Sequence, residues 1–317
     1  MTMLAGPFHE GEQRLQALTG VRERMAEVGP RVIRDHMPDQ HREFFGLLPF
    51  IVVGGLDEHD HPWASLMAGP AGFMHSPHPR TLRVDGALLP GDPLSATWRA
   101  GAPVGWLGIQ PHTRRRNRMN GTLAEVDDAG VTVAVRQSFG NCPKYIHPRE
   151  AVWATDGSDP VQSMAATEVR PETAWLSDHA LGIIERADTL FIASASPHAR
   201  DDQGAPSEGV DVSHRGGPAG FVHAKTEDGQ GTCLTLPDYT GNFMFNTLGN
   251  IVLNPKVGLI FIDVDSGALL WLQGLAEVEH DSPEQSEHVG AQRLVRIRIT
   301  RGLLHPRGWP LAWLKAG

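Results

Sequence analysis

The chain has 317 residues, of which 40% are hydrophobic and 21% charged, a globular mixture long enough for two ordinary domains. Its formal net charge of −9 argues against a surface that binds nucleic acid. Two cysteines, Cys142 and Cys233, are too few for a disulfide framework or a four-thiolate cluster, and they indicate a cytoplasmic location. The sequence shows no signal peptide and no apolar run of about 18 residues, so no membrane span is expected.

Residues 1–47 are predicted to be helical. Apolar residues recur every three or four positions from Leu15 to Val28, which is typical of an amphipathic helix. The pair Gly29-Pro30 is expected to end this helix. A second short helix is expected over residues 38–47. Both helices precede the first β region.

Two β regions follow, separated by a linker. Short apolar runs closed by glycine, with turn residues between them, predict an antiparallel β domain over residues 48–156. Residues 157–174 are small and polar and are predicted to form the linker. Ser177 is expected to cap a helix that opens the second β domain, over residues 175–317.

The two β regions repeat the same short motifs in the same order. The sequence GPAGF at 69–73 returns at 217–221, and Val104-Gly105 returns as Val257-Gly258. The sequence LAEV at 123–126 returns at 275–278. We interpret this order as a duplication that gives two barrel-like β domains packed as an internal pseudo-dimer.

The second copy carries polar residues that the first lacks. Its GPAGF motif is preceded by Ser213-His214-Arg215, and its next loop contains Asn242, Asn246 and Thr247. An arginine fork and neutral donors suit a phosphate, and a short helix opened by Asn246 would present its N-terminus to an anion. The sequence therefore indicates a phosphate-binding corner. The alternative is a turn-rich loop whose asparagines cap backbone groups.

The first copy ends in residues that could assist this corner. Lys144 is expected to contact an anionic ligand, and Cys142 is either an activated thiol or, as we favour, a small buried apolar side chain. The basic run 112–118 is either a solvated turn or a contact to nucleotide phosphates. The closest histidine pairs lack further ligands at metal spacing, so no metal site is expected.

Together these residues resemble the pyridoxamine 5′-phosphate oxidase-like family of FMN-binding split barrels. The resemblance rests on SHRGGPAGFVHA (213–224), PDYTGNFMFNTLGNIVLNPKVGLIFID (237–263), LWLQGLAEVE (270–279) and FGNCPKYI (139–146). The N-terminal FHEGE and the tandem arrangement resemble one double-barrel, flavin-nucleotide-binding subfamily. The fold class expected from the duplication and the resemblance is mainly β with flanking helices: tandem FMN-binding split β-barrels that form an internal pseudo-dimer.

The resemblance implies that FMN binds between the two barrels. Carried onto this chain, its FMN-binding residues are Ser213, His214, Arg215, Asn242, Asn246, Thr247, Lys144 and Cys142. His214 is the candidate for a catalytic proton partner. The first copy is expected to be degenerate, since the acid of its GDPL segment (91–94) would repel a phosphate, so one FMN per chain is expected.

The leading hypothesis is an FMN-dependent oxidoreductase that uses a small-molecule substrate or NAD(P)H. The vitamin B6 oxidase itself is not expected, because the basic pattern that would bind its substrate phosphate is not evident. The chain also departs from that enzyme in the FMN-phosphate loop, where it has Asn246-Thr247 in place of basic residues. The alternative is a non-catalytic flavin- or haem-binding carrier or sensor. Members of the subfamily often carry a reductase module, so a separate reductase is a possible partner, and the chain is expected to act as a monomeric pseudo-dimer or as a homodimer.

Overall fold

The computed structural model describes residues 6–153, 164, 167–201 and 204–315. Its helices are α1 (Glu10–Leu18), α2 (Arg22–Val32), α3 (Asp39–Gly46), α4 (Asp178–Arg186) and α5 (Asn246–Leu253). The strands before the predicted linker are β1 (Phe50–Leu56), β2 (Pro62–Ala68), β3 (Met74–His78), β4 (Thr81–Asp85), β5 (Pro103–Gln110), β6 (Arg115–Asp127), β7 (Gly130–Gly140) and β8 (Arg149–Trp153). The later strands are β9 (Arg170–Glu172), β10 (Thr189–Ala195), β11 (Val210–Gly216), β12 (His223–Glu227), β13 (Gly231–Tyr239), β14 (Lys256–Ile262), β15 (Leu269–Glu279), β16 (Ala291–His305) and β17 (Leu311–Lys315).

The duplication is visible in the order of the strands. The first sheet runs β2-β1-β5-β6-β7-β4-β3, and the second runs β11-β10-β14-β15-β16-β13-β12. Each strand of the first sheet therefore has a counterpart at the same place in the second. The predicted fold class, mainly β with flanking helices and two split β-barrels in an internal pseudo-dimer, is confirmed. The short strand β9, inside the range predicted as linker, adds to the second sheet beside β16.

The two copies pack together through equivalent strands. Strand β2 of the first copy packs on β14, and its counterpart β11 packs on β5. Each copy has an apolar core of its own, and a third core lies between them, with Val52 from β1, Val212 from β11 and Ile260 from β14 among its buried residues. At the far end of the chain, β17 pairs with β8 of the first copy. The interface is thus isologous, as in a twofold dimer.

The helix predictions have mixed outcomes. The prediction of a single helix from Leu15 to Val28 is wrong. Helix α1 ends at Leu18, and Gly20 follows with a positive φ of 70° that interrupts the helix before α2. Helix α2 then continues through Pro30 to Val32, so Gly29-Pro30 is not its end. The predicted helix over residues 38–47 is confirmed as α3, and Ser177 caps α4 by accepting a hydrogen bond from the Ala180 N–H at 3.2 Å.

Candidate functional site

A cleft lies between the two copies, with about 950 Å³ of empty space that includes open solvent. All eight side chains predicted to bind the cofactor line it: Cys142, Lys144, Ser213, His214, Arg215, Asn242, Asn246 and Thr247. The first copy contributes the basic strand β6 and the loop after β7, while the second contributes β11 and the start of α5. The site therefore exists only where the copies meet.

The floor of the cleft is a buried hydrogen-bond network centred on Ser213. The Arg118 Nη2 donates to the Ser213 Oγ at 2.6 Å, and the Thr247 hydroxyl donates to the same oxygen at 2.7 Å. The Arg118 Nη1 lies 2.8 Å from the Asp211 carboxylate and donates to the Asn246 Oδ1 at 2.8 Å. Arg118 comes from the first copy and the other residues from the second, so the network joins the copies at the site.

Helix α5 begins at this network. Its N-cap, Phe245, has a positive φ of 61° and no side chain that can cap the first N–H groups. The prediction of a short helix opened by Asn246 is confirmed. The Asn246 amide donates to Glu12 Oε1 at 2.5 Å, so α1 holds the first residue of α5 in place. The N-terminus of α5 thus faces the cleft, where it favours an anion.

Arg116 and His214 face each other across the copy interface. The Arg116 Nη1 donates to His214 Nδ1 at 3.0 Å, and its Nε donates to the Cys142 carbonyl oxygen at 2.8 Å. Burial, with neighbouring Arg118 and Arg215, lowers the pKa of Arg116 to about 10. Burial, with the nearby charges of Arg116 and Arg215, holds the pKa of His214 well below its usual value, so its imidazole is neutral at pH 7. A neutral imidazole that accepts at Nδ1 has its proton on Nε2.

The opposite wall of the cleft holds two more arginines beside one carboxylate. Arg215 donates to Asp238 Oδ1 at 3.4 Å, and the Arg293 Nε lies 3.5 Å from the other oxygen of Asp238. Arg293 is 6% exposed and lies over the Phe245 ring. Its Nε and Nη1, like the Arg118 Nε, have no hydrogen-bond partner among the described residues. Buried guanidinium nitrogens that lack hydrogen-bond partners indicate a site that binds an anion.

The remaining residues predicted to bind the cofactor, Asn242, Cys142 and Lys144, lie outside the buried hydrogen-bond network. Asn242 accepts a hydrogen bond from the Met244 N–H at 3.1 Å, as the turn-loop alternative expects. Cys142 is half-buried rather than buried, and Lys144 is exposed at the rim. Within the predicted basic run, Arg116 and Arg118 enter the cleft, and the interpretation of a solvated turn is wrong for both.

Sequence reasoning missed several residues of the site. They are Glu12, Asp211, Asp238, Arg293 and the stacked pair Tyr145–Tyr239, whose rings lie 5.0 Å apart across the copies. These tyrosines are the only two in the chain, and both line the cleft. The FHEGE start carried a usable signal for Glu12, while Arg293 lies in an ordinary alternating strand that gave none.

No protein-family model matches this sequence, and none of the curated proteins matches it. Among solved structures, the chain is similar to a proposed pyridoxamine 5′-phosphate oxidase from Lactobacillus delbrueckii, at 18% identity and a TM-score of 0.29, over 41% of this chain and 94% of that one. It is also similar to an FAD-binding protein from Mesorhizobium loti, at 14% identity and a TM-score of 0.28, over 43% and 96% of the two chains. The haem storage protein HutZ from Vibrio cholerae matches at 14% identity and a TM-score of 0.27, over 41% and 93%.

The pseudo-twofold axis relates the cleft to a second position between the copies, and side chains fill that position. Position 65 corresponds to 213, and Ser65 donates its hydroxyl to Asp92, the acid of the GDPL segment. Burial raises the pKa of Asp92 to about 8. By strand register, Met67 replaces Arg215 and Trp271 replaces Arg118; both are fully buried, and Trp271 belongs to the shared core. This second place is thus occupied by the buried Ser65–Asp92 pair and by apolar side chains.

Within the described residues, no three His, Cys, Asp or Glu side chains converge in a way that could hold a metal ion. In the same part of the chain, no helix has the length and apolar character needed to cross a bilayer. Both cysteines are free thiols.

Proposed function

We propose that the cleft between the two copies binds FMN, with the phosphate held by arginines from both copies. The observation that carries the proposal is the convergence of Arg116, Arg118 and Arg215 on one cleft, where burial and the charges of Arg118 and Arg215 lower the pKa of Arg116. Positive charges are brought together in this way where a multiply charged anion offsets their repulsion. The resemblance of the sequence to FMN-binding split barrels supports the choice of ligand.

The residues present fit a phosphate. Arg118 is anchored by Asp211, which leaves its Nε without a partner, and Arg215 is held only by a long 3.4 Å contact, so it can turn to a ligand. The N-terminus of α5 adds uncapped backbone N–H donors beside them. The larger, partly apolar remainder of the cleft, with Tyr145 and Tyr239, accommodates a ring system.

We further propose that the chain is an oxidoreductase. Bound FMN would supply hydride and electron transfer, and the protein would bind, orient and shield it. Because His214 is neutral and its Nδ1 accepts from Arg116, it serves better as a hydrogen-bonding wall than as a proton donor. The reductant would be NAD(P)H, a small molecule or a separate reductase, and the chain would act in the cytoplasm as a pseudo-dimer, alone or as a homodimer.

The test begins with the spectrum of the purified chain and mass spectrometry of any released ligand. We expect flavin absorbance bands after reconstitution with FMN, and saturable FMN binding followed by quenching of its fluorescence. A Soret band would instead identify the haem-binding alternative. NAD(P)H-driven bleaching of the bound flavin under anaerobic conditions would separate an enzyme from a flavin carrier.

The residue-level test compares two arginine substitutions. Arg215→Ala is expected to weaken FMN binding about 10- to 100-fold, because a hydrogen bond to a charged group contributes about 1.5–3 kcal/mol. Arg298→Ala is the matched control, since Arg298 is an exposed strand residue outside the cleft. Equal FMN affinity in the two variants would remove Arg215 from the phosphate site.

A further inference from the structure

The motif FHEGE (8–12) has no part in the function proposed above, yet it opens the helix that packs on the start of α5. His9, Glu12 and Gln16 are spaced three and four residues apart, so they lie on one face of α1 and its N-cap. All three are polar, and none is more than 6% exposed. Polar side chains buried on one helix face need partners on the element they face.

These three side chains bond to α5 and to the turn before it. The bonds join His9 to Asn250 at 2.9 Å, Glu12 to Asn246 at 2.5 Å, and Gln16 to the carbonyl oxygens of Phe243 and Met244 at 3.5 Å each. Within that turn Phe243 and Phe245 both have a positive φ of 61°, which a bulky side chain adopts only where its surroundings hold it. Helix α1 therefore supports the turn that presents the N-terminus of α5 to the cleft.

The bond to Glu12 fixes the orientation of the Asn246 side chain. The Asn246 amide nitrogen donates to Glu12, so its Oδ1 faces the other way and accepts from the Arg118 Nη1 at 2.8 Å. A reversed amide would place its NH2 group against the guanidinium, so that two donors would face each other. Glu12 thus positions Arg118 through one intervening side chain.

The Glu12 carboxyl is buried without a cation of its own. Within the part of the chain that the structure describes, its one ion-pair contact is the His9 Nε2 at 3.7 Å. That imidazole is neutral, since burial lowers its pKa and its Nδ1 accepts from the Gly11 N–H. The charge of Arg118 is offset by Asp211. A carboxyl in these surroundings keeps its proton, and burial raises the pKa of Glu12 to about 8.

The charged groups around Glu12 balance one another. They are Arg118 of β6, Arg136 of β7, Asp211 of β11 and Glu208 of the loop before β11, and α5 itself carries no charged residue. Loss of the Glu12 proton would add a negative charge that these groups do not offset. That charge would lie behind Asn246 and Arg118, where it would oppose the binding of a phosphate.

From this arrangement we propose that Glu12 is a positioning residue of the phosphate site and acts in its protonated form, so that FMN binding and retention of the Glu12 proton favour each other. This inference rests on the proposed function, because it concerns the binding of FMN. The coupling is reciprocal: a bound phosphate makes the proton harder to remove, and loss of the proton weakens the phosphate. FHEGE then serves the cofactor site although none of its residues lines the cleft.

The test measures FMN affinity between pH 7 and 9, above the range near pH 6 in which a phosphate monoester titrates. The Kd of the parent chain is expected to rise over this range by up to about tenfold, the limit for one proton lost above a pKa of about 8. Glu12→Gln cannot ionise and should lose most of this rise. At pH 7 it should bind FMN more tightly than Glu12→Ala, because its amide oxygen can still accept from Asn246.

Glu10→Gln is the matched control, since Glu10 is an exposed carboxylate on the same helix, and it should keep the parent's pH dependence. An equal rise of Kd in the parent and in Glu12→Gln means that the Glu12 proton is not coupled to FMN. Equal affinity of Glu12→Ala and the parent at pH 7 means that Glu12 does not position the site. Either result overturns the proposal.

If the parent chain does not bind FMN, the proposed function fails, and the same comparison is made with sulfate, a dianion that does not titrate in this range. Sulfate binding that weakens with rising pH in the parent and not in Glu12→Gln would support the role of Glu12 at an anion site. The same sulfate affinity and pH dependence in both chains, or no sulfate binding, would overturn it.

Discussion

Gly105 and Gly258 occupy equivalent positions in the two copies, and each lies against the backbone of the other copy. A Cβ at Gly105 would lie 2.6 Å from the Val210 carbonyl oxygen, and one at Gly258 would lie 2.3 Å from the Pro62 carbonyl oxygen. The repeated Val-Gly motif thus has a physical cause: each glycine lets a strand of one copy approach the facing strand closely. The two contacts are the two halves of one isologous interface.

Replacing either glycine with alanine is expected to destabilise the chain by about 1–3 kcal/mol, because the added methyl group meets backbone on the facing strand. The consequences for ligand binding should differ. Gly105 faces Val210 and Asp211, next to the arginine network, whereas Gly258 faces Pro62 and Trp63 on the filled side. Gly105→Ala should weaken FMN binding and Gly258→Ala should not, measured by FMN titration alongside thermal unfolding. A loss of FMN affinity of the same size in both variants would contradict the assignment of the site to one side.

One FMN per chain is expected at saturation, because the symmetry-related place is packed. Met67 stands there in place of Arg215, so Met67→Leu and Arg215→Leu form a matched pair of substitutions. Met67→Leu should leave the FMN affinity unchanged, since that position is fully buried in the first copy's core. The measurement is flavin absorbance against protein concentration after reconstitution, and a ratio of two would show that the filled place opens.

In the ligand-free chain, His214 is expected not to titrate near the usual histidine pKa of about 6.5. Burial and the nearby arginines depress its folded-state pKa, so the native imidazole stays neutral where an unfolded histidine gains a proton. Stability from this residue is therefore present above about pH 6.5 and is lost as the pH falls below it. NMR of the ring protons, assigned with His214→Asn, measures this directly, and an inflection near the usual histidine pKa would contradict it.

The fold and part of the site could be predicted from the sequence, because the residues concerned lie in short local motifs. Motifs on β11 and α5 lie near one another in the chain, so Ser213, Arg215 and Asn246 could be grouped from local patterns. Arg118 and Asp211 meet only because the copies pack face to face, and their strands read as ordinary alternating segments. Contacts made by packing between distant segments leave no local period in the sequence.

The role of Glu12 could not be predicted from local sequence either, because its burial depends on the packing of α1 on α5. Glu12 Oε2 accepts from the His9 N–H at 2.7 Å in the capping box, while its Oε1 accepts from Asn246. Gly11 of α1 and Gly249 of α5 allow this close crossing, since a Cβ at Gly11 would lie 2.0 Å from the Gly249 carbonyl oxygen. The carboxyl group is thereby withdrawn from water.

Burial raises the pKa of Glu12 to about 8, with the consequence that stability should fall as the pH rises. Between the unfolded pKa of about 4.5 and the folded value, the native carboxyl holds a proton that the unfolded chain has lost. One such proton lowers the free energy of unfolding by about 1.4 kcal/mol per pH unit over this window, and above pH 8 the dependence levels off. Asp92, also with a pKa of about 8, contributes a second fall of the same sign.

Glu12→Gln and Asp92→Asn should each remove about half of this pH dependence between pH 5 and 8, and the double variant should remove most of it. The measurement is the urea midpoint of unfolding at several pH values. Glu10→Gln is the control, because Glu10 lies on the same helix with its carboxylate exposed and paired to Arg14. If the parent chain and Glu12→Gln lose stability equally as the pH rises, the Glu12 carboxyl is ionised in the native state, and the Arg118 network carries one more negative charge than we infer.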